Sequence, residues 1–344
     1  LHPSNDIVAT GMINGRIQCH RYGLEGHEHL WTTRAFKKSC RGVSFTPDGF
    51  GIYGISRDRS IQLLDTETGK SIRVRETTHE APINSLLVID ENIMASGDDQ
   101  GVIKANMTFS KDHRTLLAVG GDGYLSTWDI RKPNVSAMSD QMEDELLSIA
   151  LVKNGKKAVV GTQDGVLTLW SWGDWGDYND RIMGHPNSID AICKLDEDTI
   201  CTGSSDGIIR LVSILPNQFH GVLGDHGEDM PIENLKLSHD KKYLVSSGHD
   251  DKLQFWDVAH LFQEEEEAAA AAQEEDLDEN TEEKEEQSQE PEAESKEDAD
   301  EDDDDGWGTD SDDEKEKKKR KKTQKKMKAE KKKDIRTTAF FADM

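Results

Sequence analysis

The chain has 344 residues, 32% charged and 34% hydrophobic, with a formal net charge of −27; that mixture is too polar for one globule of this length. No stretch reaches the roughly 20 apolar residues that span a bilayer and no basic–apolar–small signal segment opens the chain, so no membrane association is expected. Cys19, Cys40, Cys193 and Cys201 show no CxxC or Cys/His metal spacing and are too few for a disulfide framework, which fits a reducing, intracellular setting without a metal or other cofactor.

In chain order, the organising pattern is a short apolar strand, a tight Gly/Asp-rich turn, and a second strand ending in a bulky residue. The sequence opens at Leu1 rather than Met, inside what already reads as a repeat, so a fragment with an incomplete first copy is expected. Asn14 before His20 marks that degenerate copy. "GIYGISRDRSIQLLD" follows with Asp58 six residues before Leu64. A third copy has Asp99 as the nearest candidate. Then come "LLAVGGDGYLSTWD" (Asp122, Trp128), "AVVGTQDGVLTLWS" (Asp164, Trp170), "TICTGSSDGIIRLVS" (Asp206, Val212) and "LVSSGHDDKLQFWD" (Asp250, Trp256). The Asp-Gly and Asn-Gly pairs suit tight hairpin turns at positive φ. Alternation within "YLSTW" and "VLTLW" suits strands packed face to face between neighbouring sheets.

The turn positions recur at 41 to 44 residues, except that Asp99 to Asp122 spans only 23. About half a repeat is missing after Lys104, where "ANMTFSKDHRTLLAVGG" reads as the first strands of the next copy. The gap is read as a shortened transcript or faulty gene model rather than a fusion of two copies into one irregular unit. Val102 and Ile103 are expected to be underpacked beside it.

These copies resemble the WD40 family, whose repeats build four-stranded blades of a β-propeller. The resemblance implies an all-β propeller over 1–262, nominally of seven blades, with blades three and four shortened. In that family the turn Asp orients a His of its own blade in a network with a Ser/Thr and the Trp. By that likeness the network residues are Asp58, Asp122, Asp164, Asp206 and Asp250, with His185, His226 and His79 as histidines and Trp128, Trp170 and Trp256 as tryptophans. "HEAPINSLLVIDENIMASGDDQG", "LSHDKKYLVSSGHDDKLQFWD" and the ending "FFADM" after a basic tail resemble the WD repeat-containing protein 55 family. That likeness implies a nucleolar propeller linked to ribosomal RNA production.

From Gln263 onward the chain changes character: an acidic segment, 263–314, precedes a basic tail, 315–344. Between Glu264 and Glu314 there are 28 acidic residues and two lysines; Lys315–Lys333 then holds 13 Lys/Arg and two Glu. Neither block can bury enough apolar surface to offset the entropy of ordering it, and both read as disordered interaction tails. The run Lys317, Lys318, Lys319, Arg320, Lys321 and Lys322 fits nuclear and nucleolar targeting, with RNA-phosphate contact as a second use. Thr309 and Ser311 precede acidic residues at the third following position, which suits phosphorylation by an acidophilic kinase.

No phosphate loop, metal spacing or acid–base pair suggests catalysis: "GGDGYLS" opens a strand, and His226, His239 and His249 fall on different loops. Trp172, Trp175 and Tyr178 lie on a loop where aromatics could anchor a partner, against the blander reading of rings folded on their own blade. The expected function is a monomeric, non-catalytic scaffold for ribosome assembly that binds protein partners, ribosome-assembly factors and basic proteins among them. The alternative is a substrate-receptor module of a cullin-type ubiquitin ligase, since "WDIR" (Trp128–Arg131) matches the "WDxR" ending of such receptors.

Overall fold

The computed structural model describes residues 1–262 apart from 25, 91–92, 99–105, 112–113, 133 and 228–229. Asp99, Val102 and Ile103 lie outside the described residues, as do Thr309, Ser311 and Lys317, Lys318, Lys319, Arg320, Lys321 and Lys322. The chain divides into two units, Leu1–Leu277 and Asp278–Met344, and every described strand lies in the first.

The described strands form seven antiparallel sheets in chain order. The first holds β1 (Ile7–Gly11), β2 (Arg16–Gly23) and β3 (Gly26–Arg34). The second holds β4 (Cys40–Phe45), β5 (Gly51–Ser56), β6 (Ile61–Asp65) and β7 (Ser71–Arg75). Among the described residues the third has β8 (Ile83–Asp90) and β9 (Ile93–Asp98). The fourth holds β10 (Asn106–Phe109), β11 (Thr115–Val119), β12 (Leu125–Asp129) and β13 (Val135–Met138). The fifth holds β14 (Leu146–Val152), β15 (Lys157–Thr162), β16 (Val166–Ser171) and β17 (Asp180–Met183). The sixth holds β18 (Ile189–Lys194), β19 (Thr199–Ser204), β20 (Ile208–Ser213) and β21 (Gln218–Asp225). The last holds β22 (Ile232–Leu237), β23 (Tyr243–Gly248) and β24 (Leu253–Asp257). This is a propeller of six blades of three or four strands plus one two-stranded half-blade. The fourth copy, expected to be shortened, has all four strands, because its first strand starts right after the gap; among the described residues the third copy has two.

Each sheet is buried on both faces, so its strands are apolar at successive positions rather than at alternate ones. In β11, Leu116 and Ala118 look back toward Leu87 and Ala95 of the third sheet. Leu117 and Val119 look forward, onto Leu146, Ile149 and the fully buried Trp170 of the fifth. Similar clusters join the first sheet to the second, the second to the third, the fifth to the sixth, and the sixth to the last. First and last sheets meet through aromatic rings, with Tyr22 5.1 Å from Phe255 and 6.4 Å from Tyr243. Polar links tie neighbours on the opposite face. Glu197 accepts from Lys111, Lys194 and the Asn154 N–H; against the opposing cost of burial these bonds hold its carboxyl down at about 2.

The turns are not the doubly positive type that Asp-Gly suggests. Only the glycine is left-handed, at φ 78° in Gly123 and Gly165 and 82° in Gly207, and its N–H closes a turn onto the residue three before it. That is a type I turn followed by a left-handed residue. Glycine is required at Gly165 for a second reason: a Cβ would lie 2.6 Å from the carbonyl oxygens of His185 and Asn187 in the next blade.

Candidate functional site

The last blade has a complete polar network. Asp250 can only accept, so His226 Nδ1, 3.0 Å away, donates to it; His226 Nε2 then accepts from the Ser246 hydroxyl at 2.6 Å, and Trp256 Nε1 donates to the same oxygen at 2.8 Å. The other copies vary this scheme. In the third, His79 Nδ1 lies 2.8 Å from Asp98 and Nε2 2.8 Å from Ser96, so Asp98 and not Asp99 is the partner. Ser96 and Asp98 are two apart on β9 and so share a face. In the second, no histidine is needed: Asp58 accepts from the Lys37 and Ser60 N–H groups at 3.0 and 3.1 Å. In the fourth and fifth, Trp128 and Trp170 donate to Ser126 and Thr168, each at 3.0 Å. The Asp164 N–H donates across to Asp144, and the carboxylate of Asp122 accepts from the Tyr124 N–H.

The sixth blade departs from expectation. His185 bonds Thr202 at 2.8 Å, but Asp206 is taken by Arg210, at 2.6 and 3.2 Å. The guanidinium reaches back from β20 and outcompetes a neutral imidazole for the carboxylate. His185 Nδ1 is left buried without a partner, and burial, with Arg210 nearby, pushes the imidazole down to about 4.

A feature absent from the motif reading lies on the first strands of the blades. β4, β8, β14, β18 and β22 each carry a bulge near their start, where Arg41, Asn84, Leu147, Asp190 and Glu233 fall out of register. A bulge re-aims a side chain, and these strands line the axis side by side, so the five residues crown one face. Arg41 Nη1 bonds Asn84 Oδ1 at 2.5 Å across two sheets, and Glu233 meets His249 at 2.7 Å. Burial raises the Asp190 carboxyl, Glu233 adds to the rise, and Ser188 and His249 oppose it. The face is therefore cationic over the second blade, where Lys37, Lys38, Arg57 and Arg59 also lie, and anionic over the last two. The signal was present in the sequence as an offset: each of Arg41, Leu147, Asp190 and Glu233 stands sixteen or seventeen residues before its turn Asp.

The aromatic loop is mostly folded on its own blade. Trp175 and Tyr178 pack against the cluster of the fourth and fifth sheets, and Tyr178 meets Trp170 at 6.2 Å. Trp172 stacks edge-on to Trp175 at 5.2 Å and is the exposed ring, at 38%. Arg131 is clamped by Asp129 through Nε and Nη2, at 2.8 and 2.7 Å. Among the described residues no group of three or more His, Cys, Asp or Glu is arranged to hold a metal ion, and no helix is long and apolar enough to cross a membrane.

Residues 105–261 match the family model WDR55. The chain is 41% identical to WD repeat-containing protein 55 of Arabidopsis thaliana over 284 residues, covering 76% of this chain and 80% of that protein. It is 37% identical to the human protein of that name, covering 76% and 73%. Identity is also 37% to WD repeat-containing protein JIP5 of Coprinopsis cinerea, covering 76% and 72%. The C-terminal WD40 domain of Sif2 superimposes with a TM-score of 0.59 at 18% identity, over 76% of this chain and 80% of that one, a likeness of fold. The chain belongs to the WD repeat-containing protein 55 family.

Proposed function

We propose that the protein is a non-catalytic scaffold of nucleolar ribosome biogenesis and ribosomal RNA production, holding protein partners on the propeller and addressed by its basic tail. The observation that carries this reading is the crown of bulged residues. Arg41, Asn84, Asp190 and Glu233 pair with one another or with neighbouring polar groups around an open face instead of converging on a cleft. Such a face offers opposite charges to a large partner and no nucleophile–base pair to a small one. Leu1–Phe262 carries a net charge of −11, which disfavours bare nucleic acid on the propeller and favours basic proteins. The ligase-receptor alternative gains nothing from Arg131, whose guanidinium is already committed to Asp129.

Imaging tests the address. Changing Lys317, Lys318, Lys319, Arg320, Lys321 and Lys322 to Gln removes a concentrated positive block, and the tagged protein is expected to leave the nucleoli. Unchanged nucleolar signal would remove the tail from the proposal.

A further inference from the structure

The turn of the second blade departs from the others. Gly15, Gly123, Gly165 and Gly207 follow the turn amide or acid in the first, fourth, fifth and sixth copies, at φ 78 to 82°. The last copy has Asp251 there, at φ 56°, a residue type that takes the left-handed conformation at lower cost than most. The second has Arg59, at φ 71°, whose N–H closes the same turn onto the Ser56 carbonyl at 3.0 Å. An arginine is unfavourable at this backbone, and strain of that kind persists where the side chain has a use.

Main-chain bonds gather further cations around it. The Arg57 N–H donates to the Ser39 carbonyl at 3.0 Å, which sets Arg57 beside Lys38 and the bulged Arg41. The Phe36 and Cys40 N–H groups donate to the carbonyls of Gly15 and Met12, at 3.0 and 3.1 Å, so the first blade's turn lies against the same loop. That turn leads into Arg16, which register places directly opposite Arg34, and like charges so placed repel. All of these side chains are exposed. Among the described residues, the ion pair these cations make is that of the neighbouring Lys37 with Glu76, 3.6 Å apart and both exposed. The Asp58 carboxylate is turned onto the N–H groups of Lys37 and Ser60, and Arg59 Nη1 reaches the Glu80 carbonyl oxygen at 3.4 Å.

We propose that this cationic face of the first two blades binds a short acidic segment of a protein partner, whose carboxylates supply counter-charge to Arg16, Arg34, Arg57 and Arg59. A guanidinium meets a carboxylate through paired N–H groups, which suits a face richer in arginine than in lysine. Sheets pack about 10 Å apart, so an extended segment of about eight residues, roughly 27 Å long, crosses both blades. A nucleic acid is disfavoured. Base stacking needs exposed rings, and Phe36, the aromatic residue of this loop, is 3% exposed. The net charge of −11 on Leu1–Phe262 also opposes a long polyanion, whereas a short segment meets the cations alone. The inference rests on the scaffold reading for a protein as the occupant and is independent of the nucleolar address.

The test titrates the full chain against fluorescein-labelled octaglutamate, followed by anisotropy, with octauridylate as the comparison. Lysines of the basic tail also attract acids from solution, so every variant is compared with the parent chain and with Arg181→Gln/Lys252→Gln, which removes the same charge from exposed positions on other blades. Arg34→Gln/Arg57→Gln should weaken octaglutamate at least about ten-fold and leave octauridylate within about two-fold. Arg59→Gly should weaken octaglutamate without lowering the melting temperature, since glycine relieves the left-handed backbone. Absence of octaglutamate binding to the full chain, the result if the chain's own acids fill the face, would overturn the proposal. Unchanged affinity in the arginine variants, an equal loss in the Arg181/Lys252 variant or an equal loss of octauridylate would do the same. So would a lower melting temperature of Arg59→Gly, which would make that arginine structural, or self-association of the chain abolished by Arg34→Gln/Arg57→Gln.

Discussion

Asp250 and Asp206 occupy the same turn position, yet one orients a histidine and the other an arginine. The difference is set at Arg210, four residues on, where the last blade has Gln254, which shares Asp250 without displacing His226. Removing Asp250 strands a buried imidazole N–H, so Asp250→Ala should cost about 1–3 kcal/mol. In a double-mutant cycle, Asp250→Ala and His226→Ala should couple by about 0.5–3 kcal/mol, while Asp206→Ala and His185→Ala should add within about 0.5. Thermal or denaturant unfolding of the wild type, the four single and the two double variants measures this; additivity in the last blade would remove the His–Asp bond as a stabilising element. The fixed Asp offset was legible because a hairpin turn repeats its chemistry. What the carboxylate bonds was not, since a main-chain N–H, an imidazole and a guanidinium can each donate to it. Asp98 could have been found from strand parity with Ser96.

At the scale of strands and blades, the repeat spacing located the gap, and the first strand of the fourth sheet begins where the sequence placed it, within "ANMTFS". Spacing could not show which sheet bore the loss. The bulges were also invisible to hydropathy, because one extra residue in a strand buried on both faces leaves the apolar run unbroken. Among the described residues the third sheet has two strands, and Ile93 is 42% exposed. Inserting roughly 20 residues after Lys104, with a Trp-Asp ending, an outer strand and a Gly-His loop, completes the repeat. The completed propeller should melt higher and aggregate less than the present chain, because each blade gains its missing neighbour. Equal melting temperatures would mean that the short blade is already a fully packed alternative.

For the whole molecule, the charge changes after Phe262 in both amount and arrangement. Up to Phe262 there are 37 acidic and 26 basic residues; beyond it, 32 and 16, segregated by sign. Segregated blocks attract within a Debye length, about 8 Å at physiological salt, so the acidic stretch can compete with external anions for the lysines. Family membership and the propeller fold were readable from the motifs; the polarised crown was not read, because its positions keep an offset from the turn Asp but no common residue type: Arg41, Asn84, Leu147, Asp190 and Glu233. The central claim is a division of labour, with the propeller gripping proteins and the tail setting the address. Proximity labelling addresses it most directly, with the labelling enzyme fused to the full chain, to 1–262, and to 1–262 carrying an unrelated nucleolar address. The full chain and the re-addressed propeller are expected to mark the same ribosome-assembly proteins, while 1–262 alone loses them. Labelling dominated by ubiquitin-ligase subunits, or loss of the assembly proteins from the re-addressed propeller, would contradict it.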